Sequence, residues 1–432
     1  MAKETNILKH HLKFPRTFMW GASTSAYQVE GNNHNQWSIW ELNHAGEMAK
    51  TAHKRLGHLA SWPDIKQHAT KPENYISGRG VEHYTRYTED FRLAKSLNLN
   101  SMRFGIEWSR VEPEEGVWDE DAIAHYHRYI VEMKQQGITP VLNLWHWSMP
   151  VWFCDKGAFK YRRNLGHFKR FVQRMADEYA KDLEWVITLN EPNVYVTFGY
   201  LAPEPTSGHW PPGETNPLSF ARVYWNLVKA HKLSYKVLKA ANPQLQVGLA
   251  IQLANIQAKR PHNELDEATT RFMRYFWNWW FMMRVRLQMD YIGFNYYFTD
   301  YYTDIGKRVD PKLPVNDMGW YMEPEGLYPL LLSVSRRYKN KPIIITENGV
   351  ADAKDEYRRW WIEETIVAME RAISEGVNIV GYFHWSLLDN FEWANGWWPK
   401  FGLVSVDRAH GMKRTIRPSG KWFAGKIREL YR

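Results

Sequence analysis

The chain has 432 residues, of which 44% are hydrophobic, 24% charged and 15% aromatic, with 23 Trp against 19 Phe and a single Cys. Such proportions belong to a globular chain and exclude collagen, coiled coil and disorder, while the surplus of Trp, whose N–H needs a partner when buried, suggests a use for indoles besides packing. Lys and Arg outnumber Asp and Glu by 56 to 47, yet the basic residues fall in short, interrupted runs such as Arg336, Arg337 and Lys339, so a solvated cationic surface is expected and no nucleic-acid partner.

In chain order, short apolar or β-branched runs predict strands at 18–23, 101–107, 140–146, 185–190, 247–253, 291–296, 342–347 and 379–385. Several, such as VLNLW and PIIIT, are almost continuously apolar, as a strand covered on both faces requires. Between them, helical periodicity appears at 81–97, 119–136, 165–179, 220–241, 325–338 and 356–375. Alternating strands and helices imply right-handed crossovers and a parallel sheet. Eight strands fit an α/β fold of one kind: a single (β/α)8 barrel spanning residues 1–432. A doubly wound sheet is disfavoured, because no G-x-G-x-x-G follows the first strand. The surplus length is read as loops at about 44–80, 201–217 and 300–325, extending the C-terminal face of the strands, where barrels build their active sites.

No run of about 18 apolar residues offers a membrane span. Cys154 has no second Cys to pair with, and the start MAKETNILKHHLKFP lacks the apolar stretch of a secretory signal. The expectation is therefore a cytoplasmic chain with no membrane partner. Its oligomeric state is not readable.

At the predicted strand ends the composition changes from aliphatic to polar: Arg103, Glu107 and Trp108, then His146 and Trp147, Asn190 and Glu191, Asn295 and Tyr296, Glu347 and Asn348, and Trp385. A carboxylate buried there without partners would lose its hydration uncompensated, so packing alone does not favour it. Read singly, a strand-end Glu is an ion pair or a helix cap. Converging on one barrel rim, Glu191 in TLNEP and Glu347 in ITENG become a pair that can divide labour, one protonated and one ionised. Glycoside hydrolysis needs such a pair. A separation of about 5 to 5.5 Å would mean retention of configuration and about 6.5 to 9.5 Å inversion, and sequence spacing leaves that open. Metal binding is the other reading of His with Glu, but there is no H-E-x-x-H and no paired Cys, so no metal and no cofactor are expected. Trp385, Glu392 and Trp393, in FHWSLLDNFEWANGWW, combine flat apolar faces with a carboxylate, which suits a sugar ring.

These segments resemble glycoside hydrolase family 1, the β-glucosidase and β-galactosidase group. The likeness runs from about Phe14 to Phe423, with FMWGASTSAYQVEG, RFGIEWSR, TLNEP, GFNYY, IIITENGVA and WSLLDNFEW in the family's order. The resemblance implies a retaining, exo-acting enzyme that hydrolyses small β-glycosides without a cofactor. It implies that Glu347 is the nucleophile and Glu191 the general acid and then base. Arg103, Asn295 and Tyr296 would support the nucleophile, Arg103 by keeping it ionised. Gln28, His146, Asn190, Tyr296 and Glu392 would bond the sugar, with Trp147, Trp385, Trp393 and Phe401 around it and Trp320 on the aglycone side. Gly105 and Trp145 depart from the family's usual residues and would reshape the pocket. A 6-phospho-β-glycosidase and a silent carbohydrate-binding barrel are the alternatives.

Overall fold

The computed structural model of the chain describes residues 14–308 and 313–431. Eight parallel strands close into a barrel: β1 (Met19–Ser23), β2 (Ser101–Gly105), β3 (Thr139–Asn143), β4 (Trp185–Asn190), β5 (Gln246–Gln252), β6 (Ile292–Tyr296), β7 (Ile343–Asn348) and β8 (Ile379–Trp385). Each neighbours the next in chain order, and β1 pairs with both β2 and β8. Every predicted apolar run is one of these strands, which are almost wholly buried because helices cover their outer faces.

Side-chain alternation gives the barrel two separate cores. Met19, Val141, Ile187, Ala250, Ile344 and Phe383 meet inside it as an apolar plug. Their neighbours in sequence, including Trp20, Leu142, Val186 and Ile345, point outward into the larger core beneath the helices. A two-residue period sends alternate residues to opposite faces, so the polar residues further along the inward track are delivered above the plug.

The predicted helices are present as His83–Ser96, Glu120–Gln135, Leu165–Tyr179, Pro217–Ala241, Leu327–Arg337 and Arg358–Ser374. The expected loop at 44–80 is corrected: helices Gln36–Leu56 and Trp62–Ala69 occupy most of it. Its buried stripe is Ala45, Met48, Ala49, Ala52 and Leu56, helically spaced but mostly alanine, so its apolar signal is faint. Asn35 starts the helix, its side chain accepting from the Ser38 N–H while Ser38 reaches back to the Asn35 N–H, a reciprocal cap. The segment 300–325 is likewise not all loop. Thr299–Thr303 and Gly306–Arg308 form a small sheet with Asn255–Ala258, a pairing across more than forty positions that local sequence does not display. The 201–216 stretch is irregular, as expected, and is held by Glu204, whose Oε2 accepts from the N–H and hydroxyl of both Thr206 and Ser207. Among the described residues no helix is long and apolar enough to cross a membrane.

Candidate active site

The two acids reach the barrel mouth by abrupt changes of direction. Glu191 follows β4 in a left-handed conformation, φ 42° and ψ 55°, and precedes Pro192, the first residue of helix Pro192–Tyr200. Its N–H donates to Ala250 O at 2.8 Å, so the turn is pinned to β5. Glu347 lies near the end of β7, where the pairing register with β6 shifts. Gly349, two residues on, must be glycine: a Cβ there would stand 1.9 Å from the Trp385 carbonyl oxygen.

Both carboxyls are buried, Glu191 at 5% and Glu347 at 4% exposure, and a chain of polar groups links them. Arg103 Nη1 pairs with Glu347 Oε1, and its Nη2 donates to Asn190 Oδ1 at 2.8 Å. Asn295 Nδ2 donates to Asn190 Oδ1 at 3.2 Å and to Glu191 Oε1 at 2.7 Å. The other Glu347 oxygen accepts from the Tyr297 hydroxyl. One acid thus receives a guanidinium and a phenol, the other a neutral amide. Burial pushes Glu191 well above the ordinary carboxylate range, and the Glu347 charge pushes it further, with Asn295 and Arg103 opposing.

Two expectations about the nucleophile's support are corrected. Tyr296 does not touch Glu347. It faces outward between β6 and a helix, its ring 6.2 Å from Trp361 and its hydroxyl bonded to Glu323 O, so its expected sugar contact also falls. Tyr297 stands where Tyr296 was expected. Strand alternation carries the signal that finds it, since Asn295 and Tyr297 share the inward face and Tyr296 takes the other. Asn295, expected to support the nucleophile, is the register partner of Glu347 but gives its amide to Glu191 and Asn190 and receives the Thr346 hydroxyl at 2.6 Å. Arg103 is where the expectation puts it.

His146 is buried with Arg103 Nη2 3.3 Å from Nδ1 and Asn190 Nδ2 3.0 Å from Nε2. Burial and the Arg103 charge hold its pKa well below the usual histidine range, so the ring is neutral. Trp147, expected at the sugar, spends its N–H on the Asn190 carbonyl at 2.9 Å and packs against Trp210 and Trp393. It holds the strand end that carries Asn190 and Glu191. Glu107, Trp108 and Asn348 are structural: Glu107 caps the next short helix, Trp108 donates to Glu112, and Asn348 accepts from Trp361, Thr365 and Tyr382.

The remaining predicted residues form two walls. Trp393 lies 5.6 Å from His146 and stacks on Tyr27 at 5.5 Å. Beside it Glu392 Oε2 accepts from Asn390 at 2.9 Å and Gln28 at 3.3 Å. Burial, with the Glu347 charge adding and the Asn390 amide opposing, pushes Glu392 up to about 8. Gln28 keeps its buried Oε1 without a protein partner. Across from these, Trp385, Phe401 and Tyr297 share an apolar cluster with Trp320 against it, 5.7 Å from Tyr297. The 36–56 and 62–69 helices contribute Ala52, Leu56 and Ile65 to the same cluster.

A buried pair of acids in unlike environments, rimmed by aromatics and amides, agrees with what the comparisons return. The family model described as Glycosyl hydrolase family 1 matches residues 10–294 and 282–429. Beta-glucosidase A of Thermotoga maritima is 29% identical over 96% of this chain and 98% of its own length, and a 1,4-beta-D-glucan glucohydrolase of Thermotoga neapolitana is similar to the same degree. Among solved structures, a beta-glycosidase from Pyrococcus horikoshii superposes with a TM-score of 0.83 at 32% identity, covering 97% of this chain and 96% of that one. A Thermotoga maritima beta-glucosidase in complex with glucoimidazole gives 0.82 at 28% identity, covering 97% and 99%. The chain belongs to glycosyl hydrolase family 1 and is a glycoside hydrolase on a (β/α)8 barrel.

Proposed function

We propose that the chain is a retaining, exo-acting β-glycosidase that removes terminal β-glucosyl or β-galactosyl residues from small glycosides, working in the cytoplasm as one catalytic barrel without a cofactor. The observation that carries this reading is the asymmetry of the two acids: Glu347 is bonded by Arg103 and Tyr297, whereas Glu191 is held protonated by burial and by the Glu347 charge. Glu347 attacks the anomeric carbon while Glu191 gives its proton to the departing aglycone oxygen. The glycosidic C–O bond breaks and a glycosyl ester of Glu347 forms. With Glu347 esterified, its charge no longer raises the proton affinity of Glu191, which then takes a proton from the attacking water. The ester C–O bond breaks, and the sugar leaves with its original configuration.

Asn190 and His146 meet the same Arg103 guanidinium that pairs with Glu347, and there a bond to the sugar 2-OH would tighten as positive charge develops on the ring. Gln28 and Glu392 take the hydroxyls further in, with Trp385, Trp393 and Phe401 against the ring and Trp320 toward the aglycone. A 6-phosphorylated sugar fits poorly, because its phosphate would meet the Glu392 carboxyl in a site where the Glu347 and Glu204 charges already disfavour negative charge.

The test is hydrolysis of an aryl β-glucoside followed by proton NMR of the first-formed anomer. Glu347→Gln and Glu191→Gln should each lose at least about 10²-fold in kcat, and the wild-type product should appear first as the β anomer. First release of the α anomer would overturn the double displacement, and undiminished turnover in either variant would overturn the assignment of the acids.

A further inference from the structure

Two neighbouring helices on the outside of the barrel have outer faces that the reaction does not explain. Helix Pro217–Ala241 follows β4, and the helix beginning Glu264–Arg274 follows β5 and continues through Trp280–Val285. They pack side by side, Tyr224 stacking on Trp280 at 3.9 Å and Phe220 lying 6.1 Å from Phe276. Along the first, Leu218, Arg222, Trp225, Lys229 and Lys236 are exposed at helical spacing; along the second, Leu265, Ala268, Phe272 and Tyr275 are. Leu218 is 68% exposed, Phe272 64% and Leu287 76%. Arg284 over the Trp225 ring, at 5.5 Å, joins the two stripes.

The charge on this face is predominantly basic. The first helix has no Asp or Glu; the second has Glu264, Asp266 and Glu267 in its first turn, with Asp266 paired to Arg260 and Glu267 near Arg271, and no acid from 268 to 289. Residues 217–241 and 268–289 together carry nine Lys and Arg. Beside the first helix a groove of about 620 Å³ is lined by Lys160, Tyr161, Arg162, Arg222, Trp225 and Lys229. Lys160 is paired with Glu214, and the others face the groove from an acid-free helix and a basic turn. Large apolar side chains left in water among cations, with indole and phenol at the boundary, are the composition of a segment that lies in a membrane interface. There the apolar groups enter the headgroup–acyl boundary and the long basic side chains reach back to phosphates.

We infer that this face docks the enzyme on an anionic phospholipid surface, with Leu218, Trp225 and Phe272 entering the interface and Arg222, Lys229 and Arg284 meeting lipid phosphates. The attachment is peripheral. It revises the sequence-based expectation of no membrane partner, which rested on the lack of a span, and it gives the +9 charge a use that a neutral sugar does not. A second copy of the chain suits the face less well, because a two-fold contact would set one cation-rich patch against the same patch on the other copy. Nucleic acid would leave Leu218, Leu265 and Leu287 without a partner.

The test is flotation of the full chain with vesicles containing about 30% phosphatidylglycerol, against pure phosphatidylcholine, at low and high salt. The wild type should float with the anionic vesicles only, and high salt should release it. Each basic residue lost should weaken binding about fivefold, so Arg222→Gln with Arg284→Gln should weaken it about 25-fold. Trp225→Ser with Phe272→Ser should abolish flotation, with far-UV circular dichroism unchanged in both double variants. A wild type that stays in solution would overturn the proposal, as would flotation indifferent to either double variant. Equal affinity for free glycerol phosphate would overturn the bilayer as the ligand, and a gel shift with DNA or a dimer abolished by Phe272→Ser would hand the face to those partners instead.

Discussion

Replacing Tyr297 by Phe removes one hydroxyl and leaves the ring in its cluster with Trp385 and Phe401. The hydroxyl donates to the Glu347 oxygen that Arg103 does not pair with. Burial, then the Glu347 charge, holds the phenol far above its ordinary pKa, so it stays a donor across the working range. A hydrogen bond to a charged group is worth about 1.5 to 3 kcal/mol. In the second half of the proposed cycle Glu347 is the leaving group, and the carboxylate that re-forms needs that donor. Tyr297→Phe should therefore slow deglycosylation by roughly 10- to 150-fold and accumulate the glycosyl ester. A pre-steady-state burst of aryl aglycone and an intact-mass increase of one glycosyl unit would report it. Tyr296→Phe is the control, since its hydroxyl is bonded to Glu323 O behind the strand, and kcat should stay within about threefold, less than the loss of one charged hydrogen bond. The reasoning fails if Tyr296→Phe loses as much as Tyr297→Phe, or if Tyr297→Phe turns over normally without a burst.

Three further outcomes follow from the geometry. Because the Glu347 charge helps raise Glu191, Glu347→Gln should lower the Glu191 pKa, read by carbon-13 NMR of labelled Glu; an unmoved titration would leave burial as the sole cause. Glu41 accepts from Tyr27 and Ser77, and burial pushes it up to about 7 from 4.5. A raised folded-state pKa means the native state binds more protons than the unfolded chain between those values, so stability falls as pH rises from about 4.5 to 7 and is flat beyond. Over that span the loss is about 3 kcal/mol at about 1.36 per pH step. Glu41→Gln should escape it, gaining about 3 °C in Tm on wild type at pH about 8 relative to pH about 4.5, whereas a pH-independent difference would refute the linkage. Gly349→Ala should drive the Trp385 carbonyl away from β7, lowering Tm and reducing kcat/KM by up to about 10²-fold through misplacement of Glu347. Unchanged kinetics would mean that the backbone yields there at no cost.

The eight strands were legible because each is a short apolar run buried on both faces, a signal that survives without knowledge of its partners. Glu191, Glu347 and Arg103 were legible because charged groups at the ends of such runs have no packing reason to be there. What was not legible depends on direction or on distant pairing. Tyr296 and Tyr297 are identical in type, and only the face each takes on β6 separates them. Helix Gln36–Leu56 hides its stripe in alanines, and Asn255–Ala258 finds its neighbour Thr299–Thr303 only once the barrel has brought β5 beside β6. Composition told of cations but not that the acid-free helix Pro217–Ala241 would lie beside a second helix whose acids are confined to its first turn.

The apolar plug inside the barrel has a consequence for traffic. Met19, Ile187, Ile344 and Phe383 pack the barrel interior below the acids, so no passage runs through the barrel axis. On the proposed reading, substrate, water and both products then come and go on the side of the strands' C-terminal ends. In the proposed double displacement the aglycone leaves before water reaches the ester, and the released sugar must back out before the next glycoside enters. Free monosaccharide should then compete with substrate for the enzyme, and the order of departures is set by the sealed floor as much as by the chemistry above it.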